Sequence, residues 1–253
     1  MSNSPLDTAA FKTAAAEYAK SLSAQDVPSL YGVTDGKAVG TKAGVSVDIE
    51  AEYVFPLLKC TALHRDRLQP AKAVVVPQRQ FGEETSQLRV TAPRLWSYLT
   101  ENADVLDNRR SSIYRSKPRF SVFGLGDYSF APWKVGVSGL HNDGNFRLIG
   151  PSEGSPVFFD DTCYLLPFED ATQAALVHAL LCSEPVRQLL DSLKYPGAKR
   201  PITKKLLQRI DLAATLQECD LDELVESASN SLKNSVTEQD IETLAQALDP
   251  TVY

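Results

Sequence analysis

The chain has 253 residues, 43% apolar and 23% charged, with a formal net charge of −6. That composition excludes a disordered or fibrous chain, and the length is enough to bury a sizeable core in one large domain with helical attachments. No basic start leads into an apolar run at the N-terminus, and no stretch approaches the ~20 apolar residues of a membrane helix; a soluble, cytoplasmic protein without a signal peptide or membrane contact is expected.

Residues 6–24 predict the first helix. Leu6, Ala10, Phe11, Ala14, Ala15, Tyr18 and Leu22 recur at three- and four-residue spacing, and Pro28 closes the element. Short strand-like runs then alternate with turns: VSVDIEAEYVF, AKAVVVP, SQLRVTAP, RFSVFGLG, KVGVSGL, GNFRLIG, PVFFDD and TCYLLPF. Their valine, isoleucine and phenylalanine between Gly, Pro and Asp indicate β-structure. One helix interrupts them over residues 93–106, opened by Pro93. Beyond Phe168 the pattern turns helical. Asp170 caps a helix through residue 181, Ser183 caps another ending near Leu193, and Thr203 opens a short one after the loop KYPGAKRP. Two acidic amphipathic helices finish the chain, with capping arrangements at Asp220/Glu223 and Thr237/Asp240. Ile241, Leu244, Ala245 and Leu248 form one apolar face, which needs either the protein's own core or a partner subunit to pack on.

The net charge hides an uneven distribution. Between Asn108 and Arg147 there are seven basic residues against two acidic ones, and between Arg187 and Arg209 seven against one. From Ile210 onward the balance is ten acidic residues to one lysine. Such asymmetry bears on partners, not on fold. The four cysteines, at 60, 163, 182 and 219, contain no C-x-x-C pair, so reduced thiols are expected in place of a metal site.

Catalytic motifs fail on geometry. FGLGD (residues 123–127) has the glycines of an S-adenosylmethionine pocket, but there the glycines end a strand and open a helix. Pro132 and the aromatic run argue against a helix directly after Gly126, so a flexible turn between strands is expected. The Asn/Asp-Pro-Pro-aromatic tetrapeptide of amino-group methyltransferases is absent, since the sequence has no Pro-Pro. GKAVGTK (36–42) is too short between glycines for a phosphate loop, and GPSEG (150–154) precedes a strand, not the helix of a nucleophile elbow. Asp160 and Asp161 lack the further residues of a nuclease metal site; a strand-end pair binding backbone or a basic neighbour is expected. His64, His141 and His178 have no evident partners in sequence, and His178 is expected to be structural.

RRSSIYRSKPRF, directly before the glycine–aromatic loop, mixes cations with hydroxyls and rings. Arg109, Arg110, Arg115, Lys117, Arg119 and Lys134 can neutralise phosphates. Ser111, Ser112 and Tyr114 can hydrogen-bond phosphate oxygens. Tyr128, Phe130 and Trp133 are either contacts or the supports of the loop. Lys199 and Arg200 are a second candidate pair for phosphate.

RRSSIYRSKPRFSVFGLGDYSFAPWKVGVSGL resembles a block C-terminal to the catalytic domain of N6-adenine DNA methyltransferases, including fused restriction–modification enzymes with a TaqI-like specificity domain. YGVTDGKAVGT (31–41), FPLLK (55–59), DDTCYLL (160–166) and KYPGAKRPITKKLLQRIDL (194–212) resemble further parts of that region in the same order; Cys60 stands where the family has glycine. The resemblance covers about residues 29–212. It implies an α+β fold: a mixed, mainly antiparallel β-sheet recognition domain with flanking helices and helical termini. It divides the chain into an N-terminal helix (1–28), a DNA target-recognition domain (29–212) and acidic C-terminal helices (213–253).

Only some 28 residues precede the recognition region, so a catalytic domain is not expected in the chain. The resemblance then implies a specificity subunit or fragment, not an enzyme on its own. By the same resemblance it is expected to bind double-stranded DNA and to act with a separate methyltransferase catalytic subunit in restriction–modification or phage defence. No cofactor is expected here; S-adenosylmethionine belongs to the partner, which the terminal helices would dock. The alternative is a protein-interaction module of the same fold that no longer binds DNA.

Overall fold

The computed structural model describes residues 31–34, 37–40, 46–109, 111–195 and 197–248. The helix expected over residues 6–24 and the candidate Arg110 lie outside them. The fold is α+β. Strands β1 (Tyr31–Thr34), β2 (Lys37–Gly40), β3 (Ser46–Asp48), β4 (Val54–Leu58), β5 (Lys72–Val75) and β8 (Phe158–Phe159) form one sheet in the order β3-β2-β1-β5-β4-β8. Its pairings are antiparallel except for β4 with β8, which run parallel at Leu57↔Phe158 and Leu58↔Phe159. A second, antiparallel sheet has the order β7-β6-β9, from β6 (Trp133–Ser138), β7 (Phe146–Ile149) and β9 (Cys163–Phe168).

Helix α1 (Cys60–His64) follows β4. Helices α2 (Leu88–Thr91), α3 (Pro93–Glu101) and α4 (Ala103–Asp107) follow β5, and the single turn α5 (Asp127–Phe130) leads into β6. After β9 come α6 (Ala171–Cys182), α7 (Glu184–Leu193), α8 (Lys204–Leu207), α9 (Leu212–Glu218), α10 (Leu221–Leu232) and α11 (Glu238–Leu248). Helix α6 is apolar on every side, and a helix of that kind belongs inside a core. Ala174, Ala175, Leu176, Val177, Ala179, Leu180 and Leu181 are all buried. The sheet of β6 and β7 covers it from one direction, and α9, α10 and α11 cover the rest. Asp170 starts α6 by accepting from the Gln173 N–H at 2.7 Å, as its spacing in sequence implies.

The apolar face of α11 is therefore occupied from within. Ile241, Leu244 and Leu248 join the core around α6, while Ala245 stays exposed. Of the two occupants that the sequence leaves open for this face, it is the protein's own core: the face covers the central helix. The caps at Asp220 and Thr237 are present, with the Glu223 N–H donating to Asp220 at 3.0 Å and the Thr237 N–H to Asp240 at 2.8 Å. Ser183 does sit at the start of α7, but its hydroxyl is buried without a hydrogen-bond partner.

Two strand expectations and one turn expectation need correction. SQLRVTAP contains the helical turn α2, whose Val90 is 86% exposed although it looks like a core residue in sequence. RFSVFGLG is a series of turns, held by the buried ring of Phe120 at φ +67° and by Gly124 at φ +76°. Gly126 does open a helix directly, because α5 is one turn and ends at Ala131 before Pro132 can interrupt it. GPSEG is a turn, as expected, with Glu153 and Gly154 both at positive φ.

Gly150, which ends β7, faces the indole of Trp133 in β6. A Cβ there would lie 2.7 and 2.9 Å from two ring carbons. Gly150→Ala is expected to destabilise the protein by about 1–3 kcal/mol, since the rigid indole must move aside. A urea midpoint equal to the wild type's would show that the ring has room to shift.

Candidate nucleic-acid interface

Two loops, residues 77–87 and 108–126, are stitched into one layer. The buried Gln78 amide donates to the Glu83 carbonyl at 2.9 Å and accepts from the Val122 N–H at 2.6 Å. The Thr85 hydroxyl donates to the Arg119 carbonyl, and the Phe81 N–H to the Leu125 carbonyl at 3.3 Å. Glu83 closes the first loop by accepting from the N–H groups of Arg79 and Gln80, at 2.7 and 3.2 Å. Buried polar groups are thus satisfied, which fixes the layer without regular structure. Phe81 packs edge-on against Tyr114 and Phe123, at centroid distances of 6.2 and 4.9 Å.

Cations sit on these rings. Lys117 lies 5.1 Å over Phe81, Arg109 3.8 Å over Tyr114, and Arg79 4.3 Å over Phe130. Arg89 covers Trp96 and Arg119 covers Phe120, each at 4.8 Å. The structure separates the sequence candidates by what else they touch. Arg115 and Lys117 are exposed and form no ion pair among the described residues. Arg119 is exposed but bound to Asp107, Nη2 to Oδ2 at 2.6 Å. Arg109 points inward, with Nε donating to the Leu106 carbonyl and Nη1 to the Ser121 carbonyl, both at 2.6 Å. Ser112 is exposed and Ser111 half-buried beside the turn that carries Tyr114.

The candidate Lys134 is corrected. It lies in the central strand of the second sheet, covered on both faces and only 1% exposed, so no phosphate can reach it. Its Nζ donates to the Ala131 carbonyl at 2.5 Å. Burial pulls its pKa down to about 7, against the smaller upward pull of Glu169. The aromatic candidates support the loop. Tyr128 is buried and its hydroxyl donates to the Gly124 carbonyl. Phe130 packs on Phe55 and Phe158, and Trp133 on Gly150.

The second candidate pair lies elsewhere. Lys199 is exposed, while Arg200 is 3.9 Å from Asp161. Burial, then Asp160, raises the Asp161 pKa, and Arg200 partly offsets them. Asp160 accepts from the Thr162 N–H and hydroxyl, the backbone-binding role expected of it. No group of metal-ligating side chains occurs among the described residues.

Sequence reasoning missed two features. Arg79 belongs to the layer; its flanking PQRQFG has the same mix of arginine, glycine and ring as the 109–133 stretch, which was the available signal. His64 and His141 stack face to face, 3.9 Å apart and 7° from parallel. His64 Nδ1 bonds Asp143 at 2.8 Å, and His141 Nδ1 bonds the Ser138 hydroxyl at 2.7 Å. The carboxylate orients one ring and the hydroxyl meets the other, so this is not a relayed nucleophile. Nothing in the sequence pairs residues so far apart. Burial and then the neighbouring His64 lower the His141 pKa.

No family model matches the chain. Over 170 residues, 67% of its length, it is 43% identical to the type II methyltransferase M.NspV of Nostoc sp. (strain ATCC 29411 / PCC 7524). It spans 35% of that protein's length, and so is similar to a part of it. Among solved structures, the type IIL restriction–modification enzyme MmeI in complex with DNA aligns with 77% of this chain and 30% of its own. The identity is 9% and the TM-score 0.32. No helix among the described residues is long and apolar enough to cross a membrane.

Proposed function

We propose that the chain is the DNA target-recognition part of a restriction–modification methyltransferase of the N6-adenine class, with a TaqI-like specificity role. The observation that carries this reading is the aromatic-backed layer that presents Arg79, Arg115 and Lys117 outward. The similarity to a type II methyltransferase over two thirds of the chain supports it. In this reading the loops hold the duplex by its phosphates, and polar groups of the same layer meet base edges. Base displacement and methyl transfer belong to a catalytic partner, which binds S-adenosylmethionine. This sequence carries no Pro-Pro tetrapeptide.

The reading is tested by duplex binding across a salt series. Wild-type log affinity is expected to fall linearly with log salt. Arg79→Ala/Arg115→Ala/Lys117→Ala is expected to lower that slope by about 2.7, at ~0.9 per lost phosphate contact. A triple variant that binds with the wild-type slope places the duplex on another surface. A chain that retains a protein partner but no duplex at low salt supports the protein-interaction alternative.

A further inference from the structure

Gln78 stands between buried Pro77 and exposed Arg79 and is itself only 5% exposed. Both ends of its amide are used. Nε2 donates to the Glu83 carbonyl, which closes the first loop on itself, and Oε1 accepts from the Val122 N–H, which ties that loop to the second. A buried amide costs free energy that an apolar side chain would not, and its two hydrogen bonds offset that cost only while both loops keep their places. The surroundings are closely set. The Arg79 and Gln80 N–H groups share Glu83 Oε2, so the backbone that carries Arg79 is fixed to the same closed turn. Across the join, Lys117 of the second loop lies along the turn of the first. Gly82 there has φ +94°, and a Cβ on it would stand 3.2 Å from Lys117 Nζ and 3.3 Å from its Cδ. Thr85 fastens the far end of the first loop to the Arg119 carbonyl. Arg79 on one loop and Arg115 and Lys117 on the other are thus held at one spacing, with Gln78 the tie next to Arg79. Phosphates on a duplex are also evenly spaced, and cations on two independent loops would have to be ordered on binding before they could match them.

We infer that Gln78 is a positioning residue for duplex binding: it meets no DNA itself, and by locking the two loops together it sets Arg79 in register with Arg115 and Lys117. The inference rests on the DNA-recognition reading and deepens it.

The experiment measures duplex binding of the whole chain across a salt series, well below each variant's unfolding midpoint. Gln78→Met keeps the length and loses both hydrogen bonds; Gln78→Asn has an amide one methylene too short to span both loops. Each is expected to weaken binding about fivefold to tenfold at 0.1 M salt and to lower the log–log salt slope by about 0.9, the share of one phosphate contact. Gly150→Ala, destabilised in the other sheet, is the control for stability alone and is expected to keep the wild-type slope. In the Gln78→Met or Gln78→Asn background, adding Arg79→Ala is expected to lower the slope by less than about 0.3 further, because that contact is already lost. A wild-type slope in the folded Gln78 variants, an equal loss in Gly150→Ala, or a full effect of Arg79→Ala in the Gln78 background overturns the positioning role and leaves the DNA reading standing. A wild-type chain that binds no duplex at low salt overturns the DNA reading and this inference with it.

Discussion

Arg109→Ala is expected to lower stability by about 2–4 kcal/mol, whereas Arg115→Ala, six residues away, is expected to change it by less than about 0.5 kcal/mol. The two arginines look alike in RRSSIYR. In the fold, Arg109 bridges the carbonyl at the end of α4 to the Ser121 carbonyl in the second loop, with its guanidinium against Tyr114. Hydrogen bonds from a charged donor contribute roughly 1.5–3 kcal/mol each, and a ring contact about 0.5–1 more; partial exposure reduces the sum. Lysine cannot span both carbonyls, so Arg109→Lys is expected to recover less than half of the loss. Urea unfolding reads this as a shifted midpoint at constant slope. Arg115→Ala, in contrast, is expected to weaken DNA binding without touching the midpoint. If Arg109→Ala were as stable as wild type yet bound DNA as poorly as Arg115→Ala, the side chain would have to be facing the duplex after all.

The second large effect belongs to Lys134. Its pKa lies near 7 in the folded protein, against 10.5 as the ordinary value. Below about pH 7 both states carry the proton, and the folded state holds a buried charge throughout. Above it the folded lysine releases its proton while the unfolded one keeps it, so stability rises with pH until the unfolded lysine titrates in turn. At about 1.4 kcal/mol per pH unit, the gain from pH 7 to 9 is of order 2 kcal/mol. Burial raises the thiol pKa values of Cys60, Cys163 and Cys182, which acts in the opposite direction near pH 9 and above. The comparison with Lys134→Met removes that common part. The variant is expected to exceed wild type by several kcal/mol at pH 6, with the gap narrowing by about 2–3 kcal/mol by pH 9. A gap independent of pH would mean that the lysine keeps its charge when folded.

These two residues show how far the sequence reaches. The strands KVGVSGL, GNFRLIG and TCYLLPF and the helices capped by Asp170, Thr203, Asp220 and Thr237 are legible, because local alternation and capping chemistry decide them. The segment 88–126 is not, apart from the helix that Pro93 opens. Its Leu88, Val90, Phe120 and Val122 alternate like strand residues, but Leu88 and Val90 fall in a helical turn, Phe120 packs on Trp96, and the Val122 N–H donates to Gln78. The basic composition located the candidate layer. It could not say that Arg109 turns inward, that Arg119 is held by Asp107, or that Lys134 falls on a strand covered from both sides. Those facts depend on which carbonyl or carboxylate arrives from another part of the chain. The stacked histidines depend on a crossing of loops that no local rule describes.

The helix Ala171–Cys182 has no hydrophilic side, and Leu224, Ala228, Ile241, Leu244 and Leu248 shield it from water. If the chain reads DNA as proposed, transplanting it into an enzyme would therefore require its acidic helices to travel with it. A cut at residue 212, where the resemblance ends, would leave a greasy rod uncovered in the graft and invite aggregation. On the proposed reading, exchange of specificity between such proteins is constrained less by the loops that would face the duplex than by this sheath.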